Sequence, residues 1–254
     1  MKKRKLKKKN LFLFLIIMLF LVLFIISSIK IISYLNDNYK NKKIQESIIE
    51  NSITVIEPKS KDEKQGIIYD IDFESIKENN PDTVAYLKVN NTNIDYIVVK
   101  GKDNDYYLKH NYEKKWNVSG WIFADYQNNF DGTDKNIVIF GHNTRDGSMF
   151  GTLKNILNKE WYENKENYEI ILVTENDTYR YQVFSTYSIT PEDYYINTIF
   201  NNDEEYIEFL HKIKSRSIYN YNIEVNSNDK VLTLSSCIGD GKKRVVLHAK
   251  LINN

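Results

Sequence analysis

Cysteine is almost absent from this chain: among 254 residues there is one, Cys237. A single thiol can form no internal disulfide, so in an oxidising compartment it is either a small buried hydrophobe or a nucleophile. Acidic residues are missing from the N-terminal region, where the first is Asp37, whereas seven of the first ten residues are Lys or Arg. No internal repeat is visible. Histidines and acids are scattered without ligand spacing, so no metal site is expected. After the first apolar run there is no small-residue cleavage motif of the A-x-A kind, which argues against a removed signal peptide.

What is present begins with that run. Leu11 to Ile29 reads LFLFLIIMLFLVLFIISSI, uncharged throughout, and a helix of this length spans a hydrocarbon core of about 30 Å. The reading is a basic cytoplasmic tail over 1–10, a transmembrane anchor over 11–33, an extracellular stalk over 34–66 and one folded domain over 67–254. The basic flank keeps the N-terminus in the cytoplasm. Removing the eight basic residues of 1–34 leaves 27 basic against 34 acidic residues, a net charge of about −7. An acidic ectodomain is a poor nucleic-acid binder, so no nucleic-acid partner is expected.

The stalk (NDNYKNKKIQESIIENSITVIEPKSKDEKQG) is polar, with some helix, and ends at Pro58 and Gly66. The segment DFESIKENNPD carries a capping residue, Asp72, and stops at Asn80-Pro81, as a short helix should. Eight β-type runs follow: TVAYLKV, NIDYIVVK, SGWIFAD, KNIVIFGHN, YEIILVT, TYRYQVFSTYSI, KVLTLSSC and RVVLHAKLI. Strands this short, separated by turn residues and rich in aromatics, predict a mainly β fold closed or nearly closed into a barrel. One stretch departs from alternation. Between Pro191 and about Tyr219, Tyr206, Phe209, Leu210 and Ile213 recur at helical spacing, with acids early and bases late. A long helical insertion therefore precedes the cysteine strand.

Cys237 ends the run VLTLSSC, and Gly239, Asp240 and Gly241 break the strand after it. A thiol at a strand end is held by the sheet yet open to a substrate. Histidine is the usual partner of such a thiol. His142, in IVIFGHNTRDG, also ends an apolar strand. His248 alternates within RVVLHAKL as a structural residue would, His211 rides the inserted helix, and His110 sits in a loop. Arg244 opens the last strand. It is either a solvated edge charge or a planar donor pair brought back beside Cys237 by the glycine turn, where it could hold an oxyanion.

The segment Thr233-Leu234-Ser235-Ser236-Cys237, the following arginine, the FGHN histidine and the N-terminal anchor together resemble a sortase, the cysteine transpeptidase of Gram-positive cell surfaces. The helix ahead of the first strand and the helical insertion are similar to class B in particular. The resemblance covers roughly Asp72 to the C-terminus. Two positions depart from it: Ser236 stands where threonine is usual, and Ile97 where many relatives carry proline. It implies an eight-stranded sortase barrel and a cofactor-free, two-step acyl transfer. His142, Cys237 and Arg244 would be catalytic, and a sorting signal of LPxTG or NPxTx type would be cleaved after threonine. The partners implied are surface proteins bearing that signal and an amine of the peptidoglycan precursor. Groove positions carried over are Asn104, Leu108, Thr190, Tyr195, Ile196, Ser235 and Ser236. The competing readings are a pilin-polymerising sortase, a plain cysteine peptidase, and a non-catalytic, membrane-tethered β-domain.

Overall fold

A computed structural model describes residues 8–56, 67–238 and 242–252 and, within them, the side chains of all but Lys8, Lys9, Cys237 and Ile238. The chain opens with one long helix, α1 (Lys8–Ser52), whose apolar stretch has the length and composition to cross a membrane. Strands β1 (Ile53–Ile56) and β2 (Ile68–Ile71) pair antiparallel. Next comes the short helix α2 (Phe73–Asn79), started by Asp72, whose carboxylate accepts from Ser75 N at 3.0 Å.

Then come β3 (Thr83–Val89), β4 (Asp95–Val99), β5 (Phe123–Ala124), β6 (Asn136–Gly141), the helical turn α3 (Lys159–Glu163), β7 (Glu169–Val173), β8 (Thr178–Ile189), helix α4 (Asp203–Ser215), β9 (Val231–Ile238) and β10 (Lys243–Ile252). Strands β3 to β10 close into an eight-stranded barrel of order β10-β8-β7-β3-β4-β5-β6-β9. Every one of the eight runs read from the sequence contributes one strand. The barrel is mixed, because β4 pairs β5 and β6 pairs β9 in parallel while the other ladders are antiparallel.

Residue parity shows how β9 and β10 are packed on both faces. Leu232, Leu234, Val245, Leu247 and Ala249 join the central core, whereas their alternating neighbours Val231 and Val246 join a second cluster under α4. Tyr206, Phe209, Leu210 and Ile213 of α4 are the residues that cover this outer face. Asn202 starts α4 by accepting from Glu205 N at 2.8 Å. The segment before it, from Pro191, holds a single 3-10 turn at Tyr194–Ile196 and is otherwise irregular. That irregular stretch forms the rim of the site described below.

The polar segment after the apolar run differs from a free stalk. Through Ser52 it continues α1 and lies against the barrel, with Asn38, Asn41 and Gln45 buried. These residues recur every three or four positions and so share one helix face. Asn41 Nδ2 donates to Gly120 O at 3.0 Å, and Gln45 Nε2 to Asp95 O at 2.6 Å. Amides that compositionally suggest a solvated linker instead satisfy backbone carbonyls in a polar contact. The β1–β2 pairing likewise spans the boundary expected near residue 66; residues 57–66, with Pro58 and Gly66, lie outside the described residues.

Candidate active site

Register brings three distant positions to one end of three neighbouring strands. On the β6–β9 ladder Gly141 is level with Ser236, and on the β9–β10 ladder Arg244 is level with Cys237. His142 follows Gly141 directly, so the backbones of His142, Cys237 and Arg244 lie side by side where β6, β9 and β10 end or begin. Adjacent strands are about 4.8 Å apart, which puts all three within side-chain reach of a common point. The Cys237 thiol and the Gly239–Gly241 turn lie outside the described residues.

A cleft of about 250 Å³ opens at this end of the barrel. Of the positions singled out from sequence, Asn104, Leu108, His142, Tyr195, Ile196, Ser235, Ser236 and Arg244 line it. Thr190 does not: it is exposed just past the end of β8. Sequence reasoning missed Phe123, Phe140, Pro191, Glu192 and Asp193, which also line the cleft. The two phenylalanines face each other across the β5–β6 ladder with ring centroids 5.3 Å apart. Phe140, next to last in β6, carried a usable signal; Phe123 lies in a strand of only two residues, and the acids follow Pro191 in a loop whose path no periodicity reveals.

Neighbouring contacts fix the polar lining. Asn104 is held at both ends of its amide, donating to Asp125 Oδ2 at 2.8 Å and accepting from Tyr126 N at 3.1 Å. Ser236 Oγ donates to Gly141 O at 2.8 Å, fastening β9 to β6 beside the histidine. The hydroxyls of Ser235 and Tyr195 lie 3.2 Å apart and tie the insertion rim to β9. His142 Nε2 is 2.7 Å from the carbonyl oxygen of Leu108. That oxygen can only accept, so Nε2 carries a hydrogen, and in the neutral ring Nδ1 is the basic nitrogen. Among the described residues no group of three His, Cys, Asp or Glu side chains is arranged to hold a metal.

Gly141 has a packing role. A Cβ there would lie 2.5 Å from Ile122 Cδ1 and 2.7 Å from Phe150 Cγ, and both of those side chains are fully buried. The Gly141→Ala variant is expected to lose about 1–3 kcal/mol of stability, the usual cost of overpacking. A urea-unfolding comparison with the unaltered protein checks this; an unchanged midpoint would show that the wall yields freely.

His248, read from sequence as structural, is completely buried at the centre of a hydrogen-bonded chain. Thr233 Oγ1 donates to Asn136 Oδ1 at 2.7 Å and so accepts from His248 Nδ1 at 2.8 Å, leaving Nε2 to accept from Tyr187 OH at 2.8 Å. Asn136 Nδ2 then donates to Asn197 O at 2.9 Å, one residue beyond the 3-10 turn that carries Tyr195 and Ile196. The chain crosses β8, β10, β9 and β6 and ends on the rim of the cleft.

Burial pushes the His248 pKa down to about 3. The unfolded chain therefore binds a proton at a pH where the folded one does not. The neutral histidine's contribution is complete above about pH 6.5 and is lost as pH falls toward about 3, at up to ~1.4 kcal/mol per pH unit. His248→Gln, which keeps a donor and an acceptor but does not titrate, is expected to flatten stability over that window. Parallel melting curves from pH 7 to pH 4 for the two proteins would disprove the assignment.

The chain is similar to known proteins in sequence and in fold. The sortase domain profile matches residues 87–252. Sortase B of Listeria monocytogenes is 36% identical over 184 residues, 71% of this chain and 74% of that protein. The crystal structure of sortase B from Bacillus anthracis superimposes with a TM-score of 0.74 at 33% identity, covering 87% of this chain and 100% of that one. Sortase B of Clostridium perfringens gives a TM-score of 0.67 at 39% identity, over 71% of this chain and 100% of that one.

Proposed function

The chain belongs to the sortase family of cysteine transpeptidases, which anchor surface proteins, and from that premise we propose that Cys237, His142 and Arg244 carry out its acyl transfer. The Cys237 thiolate attacks the carbonyl carbon of the threonine in an LPxTG-like or NPxTx-like sorting signal. Negative charge develops on the carbonyl oxygen, and the Arg244 guanidinium, with its fixed planar donors, stabilises it. As the C–N bond breaks, His142 gives a proton to the departing amine, leaving a thioester on Cys237. An amine of the peptidoglycan precursor then forms a new C–N bond, the C–S bond breaks, and the amine's proton passes to His142. Because Nε2 is committed to Leu108 O, Nδ1 is the nitrogen that exchanges protons.

The observation that carries this reading is the alignment of His142, Cys237 and Arg244 at one end of β6, β9 and β10, beside a cleft that His142 and Arg244 both line. Asn104, Leu108, Tyr195, Ile196, Ser235 and Ser236 make up the wall against which the signal peptide lies. The apolar part of α1 holds the domain at the outer membrane surface, with residues 1–10 in the cytoplasm.

The test is to incubate the protein with a signal peptide, with and without an added amine. A ligated product that grows with amine concentration is expected. Hydrolysis alone, at every amine concentration, would make the protein a peptidase. A Cys237 unreactive toward thiol labels in the folded protein would favour a scaffold.

A further inference from the structure

Behind the cleft wall lies a carboxylate that the reaction described above does not use. Asp125 directly follows β5 and is almost wholly buried, with 1% of its surface exposed. A charge in such a place is costly unless hydrogen bonds satisfy it. Its two oxygens serve different partners. Oδ1 accepts from Gln127 N at 2.9 Å and so closes the turn after β5. Oδ2 accepts from Asn104 Nδ2 at 2.8 Å, a residue of the long loop between β4 and β5 that lines the cleft. The turn is served by the first bond alone, so the second calls for a separate reason.

The loop around Asn104 is itself held. Asp103 Oδ1 accepts from Asp105 N at 2.9 Å and from Tyr106 N at 2.8 Å, and further along the carbonyl of Leu108 meets His142 Nε2 at 2.7 Å. A primary amide can take two orientations related by a half-turn, which exchange its donor and acceptor ends. Two neighbours remove that choice at Asn104. An ionised carboxylate only accepts, so Asp125 takes the nitrogen; a backbone N–H only donates, so Tyr126 N, at 3.1 Å, takes the oxygen. Turning the amide over would set oxygen against oxygen and N–H against N–H. Nδ2 carries two hydrogens, and Asp125 uses one. Among the described residues Nδ2 has no second acceptor, so the other hydrogen is left for the cleft.

We propose that Asp125 is a positioning residue for the signal peptide: it locks the Asn104 amide so that one N–H faces the cleft and donates to a carbonyl oxygen of the peptide. This rests on the transpeptidase reading above and goes beyond it, because Asp125 touches neither the peptide nor the reacting atoms. Leu108, Phe123, Phe140 and Ile196 give the cleft an apolar wall, and apolar contact is non-directional, so it holds an extended peptide without fixing its register. A donor of fixed direction supplies the register. The bond is made in the bound peptide and does not change as the scissile bond breaks, so its loss belongs in KM and not in kcat.

A mutant cycle on the full chain in phosphatidylcholine vesicles tests this, with cleavage of peptides containing Leu-Pro-Ala-Thr-Gly and Asn-Pro-Ala-Thr-Gly as the readout. Asn104→Ala should raise KM about tenfold, the loss of one hydrogen bond to the peptide. Asp125→Asn keeps the shape and an oxygen for Gln127 N but turns a second N–H toward Asn104, and should raise KM by a similar factor. The Asn104→Ala, Asp125→Asn double variant should be no worse than Asn104→Ala alone, since nothing is then left to position. In all three kcat should stay within about twofold. Factors that multiply in the double variant, to about a hundredfold, would overturn the proposal by showing that Asp125 acts independently of Asn104; so would an unchanged KM in Asp125→Asn. The exchange variant, Asn104→Asp with Asp125→Asn, re-forms the mutual hydrogen bond and keeps an acceptor for Tyr126 N, but has no outward N–H. It should melt like the unaltered protein and still show the raised KM, and a KM near the original would overturn the proposal even where Asp125→Asn alone does not fold. Failure of both Asp125 variants to fold would overturn it too, by showing that the carboxylate serves the barrel. Cleavage of neither peptide by the unaltered chain would remove the parent reading, and this one with it.

Discussion

Cys237→Ala should cleave no signal peptide above background, a fall of at least about a thousandfold, while melting at the temperature of the unaltered protein. Removing a nucleophile forfeits the covalent pathway and leaves only what binding and oxyanion stabilisation give over water. The sequence reading makes Cys237 a strand-end thiol that contributes little to packing, and on that reading stability should move by no more than about 0.5 kcal/mol. Because the chain has no other cysteine, mass spectrometry offers a direct check. The unaltered protein trapped with peptide should gain the mass of an acyl group, and the variant should gain none. Residual turnover within tenfold of the original would mean that another group attacks the peptide.

Arg244→Lys should be nearly as damaging although charge is kept. The register sets Arg244 level with Cys237, so the guanidinium starts from the strand position directly beside the proposed nucleophile. A lysine there retains the charge but loses the planar pair of donors. Removing one oxyanion donor typically costs about 10²–10³ in turnover, and a loss of that size is expected in kcat, with KM for the peptide little changed. Lys242 and Lys243 directly precede Arg244 and are exposed, so proximity of positive charge alone is already supplied. If Arg244→Lys turned over at a near-normal rate, charge would suffice and the geometric role would fall.

Much of the site was legible because its signals are local. Alternation with a period of two marked all eight barrel strands, and helical spacing marked Tyr206, Phe209, Leu210 and Ile213 as the buried face of α4. Asp72 announced α2 through its capping position. The lone cysteine, the strand-ending histidine and the arginine that opens β10 could each be picked out by residue type at a strand boundary. Thr190 shows the limit of such carry-over: it sits one residue past β8 and points to no cleft wall, since the rim after it is irregular and a shift of one position changes which side chains face inward.

Other features had no local signature. The amides of Asn38, Asn41 and Gln45 look the same in a solvated linker as in a helix docked on a barrel; what distinguishes them is the carbonyls of Gly120 and Asp95, far away in the chain. His248 has the pattern of any strand residue, and its link to the cleft rim passes through Thr233 and Asn136 on two other strands. Phe123 joins the cleft through a strand of two residues, too short for a period to register.

The sequence by itself determined the long apolar helix, the number and nature of the barrel strands, the face α4 buries, and which residues are candidates for the chemistry, because each depends on neighbours within a few positions. Tertiary structure alone decided that β6, β9 and β10 lie side by side in that register, that α1 folds back against the barrel, and that Asp125 meets Asn104 behind the cleft wall. Those outcomes depend on which distant backbone groups pair with one another, and that choice is made by the whole barrel closing at once.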